Sequence, residues 1–280
     1  MSDPLTANFN YEEDFKYDSS NDDNEEFVYE GTDAGDLAEP AQEVSEQLEN
    51  TLQLNTGEEK AAERSEDMSE EYLSQLFKAA ASGDLDTLSF LQPSFAHSNE
   101  TNKRSGITPL HAASSNGHLD VVKYLIEEAG AIVELEDREG ETALLRASHK
   151  PSNLPIVTYL LGAGANVAHL DNDGWNALHN AAANGSEDAV RAILNNANKE
   201  IVDSVGGLHS GPGYTPLMNA ASRGHLDVVR YLLTEASAPA DPFYRNKSGA
   251  TAYSLAAESL HFDICEVSRP CMPHLILTSS

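Results

Sequence analysis

From Leu76 onward the apolar positions come in short clusters, three or four residues apart, interrupted at regular intervals by glycine or proline. Leu110 and Ala113 precede Gly117. Leu119, Val122, Leu125 and Ile126 follow it. Such spacing predicts two short helices, each with one apolar stripe, separated by a turn that glycine permits. The pair recurs. Thr108-Pro109-Leu110-His111-Ala112-Ala113, followed by Asn116-Gly117-His118-Leu119-Asp120-Val121-Val122 and Tyr124-Leu125, returns as Thr215-Pro216-Leu217, Gly224-His225-Leu226-Asp227-Val228-Val229 and Tyr231-Leu232-Leu233. Further copies open at Glu141-Thr142-Ala143-Leu144, Trp175-Asn176-Ala177-Leu178-His179 and Ala250-Thr251-Ala252-Tyr253. The threonine-equivalent positions are 108, 142, 176, 215 and 251, so the steps are 34, 34, 39 and 36.

The letters have physical reasons. Thr108 can accept from a first-turn N–H, and Pro109 loses nothing at the first helical position. Small Ala112 and Ala113 let neighbouring helices approach, and Gly117 supplies positive φ. Period, opening Thr-Pro-Leu-His, internal glycine and closing leucine pair together resemble the ankyrin repeat. That resemblance covers Glu70 to Val267 and implies an all-α solenoid. Its units are paired antiparallel helices with hairpin-like loops. A weaker similarity is to the ankyrin region of fungal proteins that also carry a dilute-type domain.

On this reading residues 1–68 are a disordered acidic tail, 69–267 the repeat domain, and 268–280 an irregular C-terminal tail. The domain opens with a capping repeat, in which Leu76, Ala79, Gly83, Leu85, Leu88 and Leu91 stand 34 residues before Leu110, Ala113, Gly117, Leu119, Val122 and Leu125. Ser69 is placed to cap its first helix. About five repeats follow, the last incomplete. Departures are local. Pro151 replaces the glycine in the second repeat and an extra residue precedes Pro155, so the turn should bulge. Asn195 to Gly213 is a longer, glycine-rich exit. Leu260 replaces the glycine in the fifth repeat, and Pro270 and Pro273 end any helix there.

Charge adds a second region. The net charge is −29, and residues 1–70 hold 22 acidic and 3 basic side chains. With few aliphatics this segment cannot bury enough apolar surface to order itself. Its Phe9, Tyr11, Phe15, Tyr17, Phe27 and Tyr29 suit either a linear docking motif or a solubilising tail. Ser19 and Ser20, upstream of Asp22 and Asp23, suit acidophilic kinases, and Val44, Leu48 and Leu52 follow helical spacing. So acidic a chain argues against nucleic acid and against anionic membranes as partners. No window approaches a membrane span, and the first residues lack the order of a secretory signal. Cys265 and Cys271 make no disulfide framework. An intracellular protein is expected, cytoplasmic, nuclear or both.

No catalytic constellation, cofactor loop or metal-ligand spacing is present. His111, His179, His118 and His225 read as structural hydrogen-bonders. What the resemblance implies is a non-enzymatic adaptor, monomeric, that binds another protein in a concave groove of loop tips and inner helices. Mapped onto this sequence, the groove takes Ile107, Glu141, Trp175 and Tyr214 before the helices. It takes Asn116, Lys150, Asn184 and Arg223 at their ends, and Arg138, Glu139, Asn172, Asp173, Arg245 and Lys247 at the tips. Trp175 and Tyr214 form either a docking platform or, for Trp175, packing on the adjoining loop. Lys150 and Arg223 make a basic floor for an acidic peptide, the chain's own tail included. Two alternatives stand beside the adaptor. One is an acidic escort for a basic client such as a ribosomal protein or histone, suggested by the tail and by the 240–249 loop. The other is a shortened form of a longer ankyrin-containing protein.

Overall fold

A computed structural model describes residues 70–207 and 211–268. The readings made for the acidic tail, Ser69, Leu208 to Ser210 and the segment after Ser268 lie outside these residues. Short helices follow one another in pairs. The first, α1, covers 70–82. It is followed by α2 (Leu85–Leu91), the four-residue α3 (Phe95–Ser98), α4 (Pro109–Asn116), α5 (Leu119–Glu127), α6 (Ala143–Ser148) and α7 (Leu154–Gly162). Then come α8 (Ala177–Ala183), α9 (Glu187–Asn195), α10 (Pro216–Arg223), α11 (Leu226–Arg230), α12 (Ala252–Glu258) and α13 (Phe262–Ser268). Among the described residues there is no strand, only one isolated antiparallel bridge between Gly206 and Tyr214.

Helices this short are marginal alone, so packing must hold them. The leading helices of successive repeats, α4, α6, α8, α10 and α12, lie side by side, and their partners α5, α7, α9, α11 and α13 form a second row. The alanines expected to permit close approach do so. Ala112 is buried, and Ala113, Ala143, Ala147, Ala177, Ala181, Ala220 and Ala256 lie in one continuous core with Leu110, Leu144, Leu178 and Leu217. Each such leucine withdrawn from water contributes about 1.5–3 kcal/mol, much of it realised only when the next repeat is in place.

The starts and stops are built as the letters suggest. Thr108, Asn176, Thr215 and Thr251 each accept from the backbone N–H three residues on. Thr142 makes no such side-chain bond. Gly117 and Gly224 end their helices in the left-handed region, at φ 87° and 84°. In the second repeat the expected bulge is a 3-10 turn, Pro151–Asn153, after which Pro155 sits in the first turn of α7. In the fifth repeat Leu260 takes the glycine's place and its conformation, with φ 64°. The outer helix α11 passes into a single π turn, Tyr231–Glu235. Arg191 of α9 lies against it, 4.0 Å from the Tyr231 ring centroid and 2.7 Å from a Glu235 carboxylate oxygen.

Candidate partner-binding surface

Between the pairs the chain runs out into fingers, and at four of the tips one side chain shapes the turn. Asn102, Asp137, Asp171 and Asn246 carry an oxygen that accepts backbone N–H groups two and three or four residues on. Asp137, for example, takes those of Glu139 (2.8 Å) and Glu141 (3.0 Å). This is the local turn for which Asp and Asn are favoured. The tips are then joined to each other through backbone. Arg138 donates to Ser105 O (3.1 Å), Asn172 to Glu139 O (3.0 Å), Gly207 to Asp173 O (2.9 Å) and Lys247 to Pro212 O (2.8 Å). The Asn172 amide adds a bond to Arg138 O, and the Arg138 guanidinium bonds to Lys103 O. The row of tips has a fixed backbone on which side chains can vary.

Beneath the tips the histidines do the work read from the motif. His111 is buried; its Nδ1 accepts from Thr108 N–H, and its Nε2 donates to Glu141 O (3.0 Å) of the next repeat. His179 is held the same way by Asn176, and its Nε2 reaches both Ser204 O (3.0 Å) and Tyr214 O (3.1 Å). Burial pushes the pKa of both rings down, that of His179 to about 4, so both stay neutral at physiological pH. His118 and His225 donate to Ala81 O and Ala183 O, each 2.9 Å away, at the end of the preceding leading helix. Each ring lies so close over a glycine there, Gly83 or Gly185, that an added Cβ would come within 2.5 Å of it.

The second repeat has no such histidine, and its replacement was missed. Asn153 is buried, donates to Ser114 O (3.0 Å), and sits over Gly117. Its position just before Leu154, matching that of His118 just before Leu119, was the available signal; the inserted residue hid the register. Arg146 was missed too. It stands where Ala112 stands in the first repeat and pairs with the buried Asp137 and with Glu141. Burial opposes the charge on Glu141. The hydrogen bond from His149 (2.6 Å) and the charges of His149 and Arg146 more than offset this and hold its carboxyl below the usual range.

The residues mapped to the groove divide accordingly. Ile107 and Glu141 are 7% and 9% exposed, and the structure corrects their assignment to a surface. Ile107 packs inside, and Glu141 is spent on the ion pairs that hold the second finger. Arg138, Glu139, Asn172, Asp173, Arg245 and Lys247 are exposed along the tips, and Lys150 and Arg223 are exposed at the ends of α6 and α10. Asn116, Asn184, Trp175 and Tyr214 are half-buried. Trp175 lies against the long exit loop. Its indole would meet a Cβ at Gly206 or Gly207 within 2.7 Å, and the ring stands edge-on to His179 at 5.1 Å. Tyr214 closes that loop through paired 2.9 Å backbone bonds with Gly206. Trp175 therefore packs on the adjoining loop, and the loop carries Tyr214. Among the described residues no group of three His, Cys, Asp or Glu side chains is placed to hold a metal ion, and no helix is long and apolar enough to cross a membrane.

Comparison with known proteins bears on this geometry. A family described as "Ankyrin repeats (3 copies)" matches residues 76–171 and 151–204, and one described as "Ankyrin repeats (many copies)" matches 207–256. Among solved structures, a chain is similar in the complex of a predatory endopeptidase from Bdellovibrio bacteriovorus with an immunity protein. The identity is 28% and the TM-score 0.58, covering 70% of this chain and 97% of that one. No curated protein matches the chain.

Proposed function

Because the chain belongs to the ankyrin-repeat family, we propose that it is a non-enzymatic adaptor that binds another protein along the finger tips and the ends of the leading helices. One observation carries this reading. The tips share a ladder of backbone hydrogen bonds from Ser105 to Lys247, while the side chains they present, Arg138, Glu139, Asn172, Asp173 and Arg245 among them, are exposed. A surface whose backbone is already ordered loses little entropy when a partner docks. Lys150 and Arg223 extend it as a basic floor. Trp175 and Tyr214 contribute mainly by holding the exit loop in place, and Ile107 and Glu141 support from within. The solved relative, found in a complex of two proteins, agrees with a binding role.

The test is affinity purification with the full chain and with a Lys150→Glu, Arg223→Glu double variant. Both positions are exposed, so the fold should survive, as circular dichroism would show. A client captured by the wild type should be lost or weakened by about tenfold in the variant. A client that binds both forms equally would remove the floor from the binding surface. The acidic surplus favours a second reading, an escort for a basic client. Raising the salt concentration should then release the client from the wild type, which an adaptor relying on shape would resist.

A further inference from the structure

We infer that the exit of the third repeat forms a second docking site, distinct from the finger tips, whose occupant is a basic segment of a partner protein presenting one leucine-sized side chain between lysines or arginines. The regular exits fold back onto their own helices. Ala131 N–H donates to Leu125 O (2.8 Å), Ala165 to Leu160 O (3.0 Å) and Ala240 to Leu232 O (2.9 Å). The chain leaves α9 differently, through a 3-10 turn, Lys199–Asp203, whose Ile201 N–H donates only to Asn198 O. A cleft of about 370 Å³ opens between this turn and the rising arm of the finger before it.

The cleft has an apolar part from Val167, Leu170 and Ile201 and polar edges from Asn166 and Asn198. Leu170 remains 52% exposed, an apolar side chain at the mouth. Charge decides what can cover it. Glu200 is in the lining. Glu134 is bound to the N–H of Asn166 (2.9 Å), Glu136 lies 3.8 Å from His169, and Asp203 accepts from Asp241 N–H (2.9 Å). Arg191, on the helix leading into the exit, is held by Glu187 and Glu235. An acidic segment would be repelled, and a neutral apolar one would leave these carboxylates uncompensated. Complementarity therefore selects a cationic segment with an apolar anchor. The site stands or falls separately from the tip surface, because it shares no residue with it.

A short fluorescent peptide centred on Lys-Leu-Lys, with Lys-Ser-Lys and Glu-Leu-Glu counterparts, titrated into the full chain tests this. The leucine peptide should bind at least about tenfold tighter than either counterpart. Leu170→Ser and Glu200→Lys, both at exposed positions, should each remove about tenfold of that affinity, while the Lys150→Glu, Arg223→Glu double variant binds as the wild type does. A photo-reactive leucine in the peptide should cross-link within 166–170 or 196–204. Equal binding of the Lys-Leu-Lys and Lys-Ser-Lys peptides would show simple attraction to acidic charge, the N-terminal region included, and would overturn the proposal. Cross-links confined to other segments would overturn it as well.

Discussion

The imidazole of His179 shows how single side chains connect repeats and what that costs. It is buried, neutral and hydrogen-bonded on both nitrogens, with a pKa of about 4 against an ordinary 6.5. The unfolded chain therefore takes up this proton more readily than the folded one. Its contribution is complete above about pH 6.5 and is lost as the pH falls toward 4, by up to about 3 kcal/mol. His111 shifts in the same direction for the same reason. Urea unfolding from pH 7 to pH 5 should show stability falling with acid. In His179→Leu the fall should be shallower, from a lower starting value, since the bonds to Ser204 and Tyr214 are gone. The second repeat is a natural precedent for that change, because Leu145 occupies the equivalent place and the finger is held by Arg146 and Asp137 instead. The role of His111 could be read from its motif. That of Arg146 could not, because an arginine in place of an alanine carries no signal until Asp137 is seen to be buried beside it.

At the scale of the element, the ends of α1, α4, α8 and α10 each meet a ring or an amide supplied by the following repeat. Two glycines separate this contact from backbone strain. Gly164 has φ 90° with open space around it, whereas Gly185 has φ 72° with the His225 ring 2.5 Å from an added Cβ. Gly164→Ala should cost about 1 kcal/mol, the price of the left-handed conformation alone. Gly185→Ala should cost a further ~1–3 kcal/mol for displacing the ring. Equal losses in chemical denaturation would mean that the contact between repeats contributes nothing. The helices and their order were legible because their period, caps and glycines are local signals. The exit of α9 was legible only as a lengthened loop. Its 3-10 turn, and the cleft beside it, depend on the loop failing to fold back onto its helix, and no spacing rule encodes that. Trp175 was legible as a docking residue or as packing on the adjoining loop, but that its contacts are Gly206 and Gly207 was not.

For the described array as a whole, stability is a chain of nearest-neighbour terms, so it should fall toward the ends. Hydrogen exchange should be slowest in α6, α8 and α10 and fastest in α13, with α12 close behind. Leu260→Gly should slow exchange in α12, because it relieves a left-handed leucine that is 69% exposed and so contributes little by packing. Unchanged exchange there would mean that the φ of 64° is not strained. The placement of Leu260 has one more consequence. At Gly83, Gly117, Gly185 and Gly224 the bare Cα is a socket into which the next unit plugs His118, Asn153, His225 or His261. The fifth unit presents a leucine there, so its socket is stoppered, and a sixth unit of the same make would find no seat until that side chain moved aside.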